Sequence, residues 1–340
     1  MLSVTIELCK APSYKARAIE QTLTIPYLET MAVVVLPAVG GGQLESAVLR
    51  RWLSRADLQK ADAPRELLAN ILERLHIQCP DEGLGALRMW GQTGDRPTVW
   101  MAAADPVYLE PRLDHLCLHV LEGDSVPAAD LRTLFDHLQE TLGDDTNFGF
   151  ARVGSCGYLC APVPIATAAM PPYVAHLDKP NDYMPGGDGS AAYRKLLSEV
   201  EMSLHDHEVN KRRQDSGLAP INCLWFWGGG YAPEQCAEPY PPLFANDPLL
   251  KGHWLSKAAP AASWPGDIAA CLDASKAGFV AVAPAHDDPE LLAHCLQELH
   301  QALRSGRLDR LRLIFRDGVA ADIRGKHRWR FWQRNSDLLN

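Results

Sequence analysis

The densest run of chemically useful side chains lies between His205 and Gly230. His207 supplies an imidazole, Asn210 and Asn222 supply amides, and Arg212 and Arg213 supply guanidinium groups, while Gly228, Gly229 and Gly230 offer backbone that a ligand can approach closely. That set suits a small anionic molecule, because arginine forks and exposed backbone N–H groups hold oxyanions while amides orient them. The same residues also have an ordinary structural use. Asn222 and His207 can bond the turn that joins a helix to a strand, and arginines in the last turn of a helix are favoured by its dipole with or without a ligand. The sequence leaves both uses open.

These residues need particular elements to position them. Tyr193, Leu196, Leu197, Val200 and Leu204 recur at helical spacing, so a helix is expected from Ser190 to about Arg213, with His207 continuing the buried stripe and sharing a face with Asn210. Gly217 stops that helix, and Ile221 to Trp227 reads as a central strand running into the glycines. The helix end and the strand end would then converge on one crevice. Trp225 and Trp227 alternate with Phe226 and share a side, which suits a core or an interface better than base stacking.

The rest of the chain reads as α/β, with a mostly parallel sheet flanked by helices. Met31 to Leu36 is an apolar strand, followed by amphipathic helices around residues 44–52 and 67–75. Thr98 to Ala103 and His115 to Leu121 have strand length, and Pro106 and Pro111 between them argue against continuous pairing. Leu131 to Leu142 marks a helix, and 148–153 with 158–162 a short strand pair. Downstream, Gly278 to Ala283 and the helix through Leu291 to Leu303 fit a crossover unit, and Arg310 to Phe315 returns after Asp317-Gly318 as a C-terminal antiparallel hairpin. A division follows: an N-terminal lobe at 1–161, a proline-rich linker or mobile loop at 162–189, and a C-terminal lobe at 190–334 ending in a basic hairpin.

Composition narrows the classes of function. The chain has 340 residues, 47% hydrophobic and 22% charged, which excludes disordered, collagenous and coiled-coil classes. No apolar run approaches the roughly 20 residues that span a bilayer, and Met1 to Lys10 does not resemble a signal peptide, so a cytoplasmic location with no membrane partner is expected. Nine scattered cysteines without metal spacing fit reduced thiols, Cys156 and Cys160 being the closest pair. The net charge of −9 is uneven: Arg304 to Arg334 carries a net +7, leaving −16 on the remainder.

Asn210, Gly217, Asn222 and Gly228 to Gly230 keep, without a gap, a spacing that resembles one segment of the archaeal-type cofactor-independent phosphoglycerate mutases. There a helix ends in His-Pro-Val/Ile-Asn, and a basic stretch, a glycine, an Asn-bearing strand and a Gly-rich turn follow. Glu208 stands where that family has proline. Over its whole length the chain more closely resembles the bacterial RpfE-type regulatory proteins, described as phosphoglycerate-mutase-like. That likeness runs through Ala104-Asp105-Pro106-Val107-Tyr108-Leu109, Glu199 to Asn210, Trp225 to Gly230 and Arg328-Trp329-Arg330-Phe331-Trp332.

The resemblance implies an alkaline-phosphatase-like fold and, for the mutases, two-metal phosphoryl transfer with a Ser or Thr nucleophile and Asp and His ligands. This chain departs from that pattern. Leu36-Pro37-Ala38-Val39 stands where the superfamily has a metal-binding Asp-Gly, and His253, His286, His294, His300 and His327 stand without an Asp-His-Ser/Thr signature. The expectation is therefore a non-catalytic regulatory or ligand-sensing protein. It would need no cofactor and would bind a phosphorylated or other anionic small molecule, or a regulatory protein partner. One alternative is a metal-dependent phosphoryl-transfer enzyme, which would use Mn or Zn. Another is a protein or nucleic-acid adaptor acting through the basic C-terminal hairpin, with nucleic acid disfavoured by the acidic body.

Overall fold

The structure, a computed structural model, describes residues 30–61, 65–121, 125–144, 146–286 and 288–330. Met1 to Lys10 and Phe331 to Arg334, both used above, lie outside the described residues, as do the side chains of Arg328 and Trp329.

The first sheet is built around β1 (Met31–Leu36), whose apolar, valine-rich run suits a strand covered on both faces. β1 pairs in parallel with β10 (Gly278–Val282) and with β11 (Arg310–Phe315). Beyond β10 lie the short parallel strands β8 (Leu243–Phe244) and β9 (Ala261–Ala262). On the other side β12 (Val319–Arg324) folds back antiparallel on β11, and β2 (Asp57–Lys60) pairs antiparallel with β12. The mostly parallel sheet and the C-terminal hairpin are both present. So is the crossover, in which α9 (Pro289–Ser305) links β10 to β11 on either side of β1.

One face of this sheet is covered by α9, α1 (Ala47–Leu53) and α8 (Ile268–Ala274), which share a core with Ala32, Val34 and Leu36. Val33 and Val35 point the other way, into a larger core built from α2 (Leu67–Leu75), α3 (Leu84–Thr93) and α7 (Pro248–Ser256). That core extends to a second sheet, which is wholly antiparallel: β3 (Trp100–Pro111), β4 (Leu116–Val120), β5 (Gly149–Val153), β6 (Cys156–Ala161) and β7 (Cys223–Gly230). α4 (Ala128–Thr141) closes its far side, with Phe135 meeting Phe150 edge-on at 6.4 Å.

Three expectations are corrected here. Strand pairing crosses the expected lobe division in both sheets: β1 lies between β10 and β11, and β7 pairs with β3, so the two sheets, not the two halves of the chain, divide the molecule. Pro106 does not interrupt β3. Along β3, pairing with β6 stops at Ala104 and pairing with β4 starts at Val107, and the backbone N–H of Leu109 points the opposite way, toward Asn222. The two-residue period of a strand therefore aims the missing N–H of Pro106 into the gap between β6 and β4, where no partner is lost. Residues 162–189 form a strap along the second sheet, not a linker. Ala168 bridges Trp227, and Leu177 N–H and Asp178 C=O bond the backbone of Leu118 at 2.7 and 3.0 Å.

Among the described residues no helix is long and apolar enough to cross a membrane. All eight described cysteines are free thiols, and burial raises the pKa of both Cys156 and Cys160, the latter to about 11.

His253 in α7 is 3% exposed, with Nε2 at 3.2 Å from the Tyr240 hydroxyl, and burial pushes its pKa down to about 4. Between the ordinary value near 6.5 and this one, the unfolded chain binds more protons than the folded chain. Stability should therefore fall as the pH drops through that window, by a total on the order of 3 kcal/mol. Urea midpoints measured between pH 7.5 and pH 4 should show this acid-side loss, and His253→Gln should flatten it.

Candidate functional site

The 190–213 region is two helices, not one. α5 (Gly189–His205) ends before Asp206, and His207 adopts an extended backbone, φ −66° and ψ 139°, as the N-cap of α6 (Glu208–Asp215). Its Nδ1 accepts the backbone N–H of Val209 at 3.2 Å. The expected stripe continuing through His207 is thus broken. Its ring instead lies 4.8 Å from that of His137, and burial together with that neighbour lowers its pKa, keeping the imidazole neutral near pH 7.

The polar side chains nearby are committed to the protein's own backbone. Asn210 is buried, donates to the carbonyls of Leu204 and Ile221 at 2.8 and 2.9 Å, and accepts the Ile221 N–H at 2.8 Å, so it ties α6 to the entry of β7. Asn222 accepts from Leu109 N–H at 2.8 Å and donates to Leu109 C=O at 2.9 Å, acting as one more rung between β7 and β3. Arg213 donates to the carbonyls of Ala219 and Ser125. Arg212 is the exposed member of the group and pairs with Asp130 at 2.7 Å.

Gly228, Gly229 and Gly230 do not open onto a crevice with these residues. They receive the N-terminus of α3, whose Gly83 N–H donates to Gly229 C=O at 3.1 Å. A methyl group on Gly229 would sit 2.4 Å from Trp100, and one on Gly230 2.3 Å from the Gly83 nitrogen. The triplet is the floor on which a helix rests. Beside it Arg88 of α3 bonds Asp105 at 2.6 Å and Gly157 C=O at 2.7 Å, and Trp227 Nε1–H donates to the other Asp105 oxygen at 2.7 Å. Trp225 and Trp227 are both buried, as their shared side implied.

A polar cleft lies at the carboxyl ends of β1, β10 and β11, where open α/β sheets place their ligands. It has a volume of about 810 Å³ and is lined by Arg316, Tyr173, Asn70, Asn246 and Asp247, with Val35, Val282 and Ile314 as its apolar floor. α2 and α7 begin at its rim. Glu66 caps α2 by accepting the N–H groups of Leu68 and Ala69, and Asp247 caps α7 by accepting that of Leu250. Arg316 is steadied by Ala283 C=O at 3.2 Å. Burial raises the pKa of both Glu66 and Tyr173, so the phenol stays protonated; its oxygen accepts the Leu67 N–H at 2.9 Å and its proton faces Glu66. Two guanidiniums, of Arg65 and Arg316, with a phenol and two carboxamides around an apolar floor suit an anionic small molecule, the Asp247 and Asp317 carboxylates of the lining being engaged by backbone N–H groups.

The donor set does not fit a two-metal centre. Asp317 follows Arg316 but accepts the N–H groups of Val39 and Gly40 at 3.0 and 2.8 Å, holding the loop after β1, and Glu66 and Asp247 are helix caps. Among the described residues, the one group of three His, Cys, Asp or Glu side chains close enough to share a metal ion lies away from this cleft, on the β3–β4 hairpin. Gly40, the first glycine of the loop after β1, thus meets an anion supplied by the chain itself. Sequence patterns missed Arg316, Tyr173 and Asp247 because they lie in three separate segments. The signal that could have found them was the position of each apolar strand's carboxyl end.

No protein-family model matches the chain. By sequence it is similar to a probable 2,3-bisphosphoglycerate-independent phosphoglycerate mutase of Geobacter sulfurreducens, with 24% identity over 141 residues, 38% of this chain and 33% of that protein. The 2,3-bisphosphoglycerate-independent phosphoglycerate mutase of Methanosarcina mazei is 34% identical over 71 residues, 21% of this chain and 18% of that protein. The chain thus matches a third or less of the length of these curated relatives. Among solved structures, the PH0037 protein of Pyrococcus horikoshii matches with a TM-score of 0.53 at 12% identity over 92% of each chain, a likeness in fold. The cofactor-independent phosphoglycerate mutase of Thermoplasma acidophilum gives a TM-score of 0.41 at 16% identity, covering 87% of this chain and 89% of its own.

Substitutions separate the structural from the exposed members of the 207–230 group. Asn210→Ala takes away the partner of the buried Ile221 N–H and C=O and should cost about 2–3 kcal/mol. Gly229→Ala should cost about 2 kcal/mol by overpacking, and Arg212→Ala less than about 0.5 kcal/mol. Denaturant midpoints measure all three, and a silent Gly229→Ala would contradict the tight seat.

Proposed function

We propose that this chain is a cytoplasmic, non-catalytic regulatory or ligand-sensing protein of the RpfE type, of phosphoglycerate-mutase-like ancestry, and that it binds a phosphorylated or otherwise anionic small molecule. The observation that carries the reading is Arg316 with Tyr173 in the cleft at the carboxyl ends of β1, β10 and β11. The partial sequence similarity to phosphoglycerate mutases supports a phosphorylated ligand class. The commitment of Asp317 to the loop after β1 and of Glu66 and Asp247 to helix caps supports a binding role over metal-assisted transfer. The cleft replaces the 207–230 segment as the place of binding, because the side chains there are occupied by the backbone.

One observation favours the enzyme alternative. Glu66 and Asp247 lie close enough for the charge on Asp247 to raise the Glu66 pKa further, and two neighbouring carboxylates beside an arginine can serve metal-assisted phosphoryl transfer.

A thermal-shift series on metal-stripped protein, with 3-phosphoglycerate and other phosphorylated metabolites with and without Mn²⁺, distinguishes the two. A ligand at about 100 times its dissociation constant adds roughly 2.7 kcal/mol. The expected result is stabilisation without metal that Arg316→Ala removes while the unliganded protein keeps its melting temperature. A shift that requires Mn²⁺ would support the enzyme, and no shift under any condition would overturn the small-molecule role.

A further inference from the structure

Away from the cleft, the β3–β4 hairpin brings three side chains of metal-ligating type onto one face. The antiparallel register sets Glu110 opposite Cys117, and residues two apart in a strand share a side, so His119 joins them. Cys117-Leu118-His119 therefore presents a thiol and an imidazole from β4 toward a carboxylate from β3. One donor atom from each of the three lies within 4.8 Å of the other two. Donors about 2.0–2.3 Å from a tetrahedral zinc ion are separated by roughly 3.3–3.8 Å, so small side-chain rotations would close the set.

The surroundings decide what kind of site this is. Cys117 is 7% exposed, whereas the side chains of Glu110 and His119 are 28% and 26% exposed, so the sulfur lies at the bottom and the other two donors face an opening. Glu110 Oε2 takes Arg112 at 2.6 Å and lies 2.8 Å from His119 Nε2, so the two outer donors are already held together. The carboxylate can keep the arginine on one oxygen and offer the other, the cation taking the place of the proton it shares with His119. His176 comes edge-on to His119, with ring centroids 6.1 Å apart, and its Nδ1 accepts the Val120 N–H at 3.1 Å. That bond places the His176 proton on Nε2, which makes it a hydrogen-bond donor beside the site and not a ligand. Three protein donors with a fourth position open is the pattern of an exchangeable or reactive zinc site, and closed structural sites have four.

We propose that Glu110, Cys117 and His119 form a mononuclear site for a zinc-class divalent cation, with water or a small ligand in the fourth position. A thiolate, an imidazole and a carboxylate together favour Zn²⁺ or Co²⁺ over Mg²⁺, Ca²⁺ or Mn²⁺. The site stands independently of the cleft, which lies at the other sheet.

The test is an anaerobic titration of metal-free, reduced full-length chain with Co²⁺, which reports thiolate coordination directly. One equivalent should bind with a thiolate-to-cobalt charge-transfer band in the near ultraviolet, and Zn²⁺ should displace it. Cys117→Ser should lose the band, His119→Gln should weaken binding by more than about tenfold, and Cys236→Ser, at an exposed cysteine elsewhere, should change neither. Absence of the band in the unmodified chain, or its survival in Cys117→Ser, would overturn the site. If Cys117→Ser does not fold, Glu110→Gln and His119→Gln decide the matter: unchanged affinity in both overturns the proposal, and weakened affinity in both upholds it.

Discussion

Arg88 and Asp105 meet in a site closed to water on nearly every side, and their contact fixes the height of α3 above the antiparallel sheet. Arg88 is 7% exposed, and its guanidinium lies over the Tyr158 ring at 4.9 Å, so its charge has few partners besides Asp105 and Gly157 C=O. Removing either partner would leave a buried charge uncompensated, a far larger cost than the net gain from the pair. An adjoining face of α3 then meets α7 where neither helix has room for a side chain: a methyl on Gly91 would fall 1.8 Å from Pro248 C=O, and one on Gly252 1.7 Å from Leu87 C=O. α7 begins at Asp247, on the rim of the cleft. An ion pair on the antiparallel sheet thus positions, through two helices in backbone contact, one wall of the cleft on the parallel sheet.

This chain of contacts explains which parts of the molecule were legible in the sequence. β1, β10 and α9 announce themselves because burial on both faces demands apolar runs and a helical core face demands the 3.6 period. α3 did not, since Leu84-Gly85-Ala86-Leu87-Arg88-Met89-Trp90-Gly91 contains two residues that weaken a helix by about 1 kcal/mol each. Those glycines are needed for contacts that only the folded molecule reveals. The break at His207 was hidden for another reason. Proline at the first helical position marks a new helix clearly, but Glu208 holds that position here, and a carboxylate in the first turn achieves the same start through the helix dipole.

The candidate site was misplaced by a similar ambiguity. A glycine that lets a helix approach looks, in sequence, like a glycine that lets a ligand approach. Charge was ambiguous too. The basic C-terminal segment is partnered partly with the acidic remainder, through Arg307 on Asp273 and Arg330 on Asp57, and partly within itself, through Arg310 and Arg312 on Asp322. Burial works against ionisation of Asp322, yet the surrounding arginines hold its pKa below the usual carboxylate range. Arg316, one residue past the end of β11, instead donates to Ala283 C=O and faces the cleft.

The strap formed by residues 162–189 has a consequence for the protein's life in a crowded solution. An antiparallel sheet with open sides offers rows of unpaired N–H and C=O groups, a template on which other chains can add as strands. Ala168 occupies that position along β7, and Leu177 with Asp178 occupies it along β4. The strap carries Pro162, Pro164, Pro171, Pro172, Pro180 and Pro185. Proline has no N–H to give, so the segment can close the sheet on its inner side while presenting a poor surface for further strands on its outer side. Release of the strap would expose the edges of β7 and β4 to strand addition by other chains.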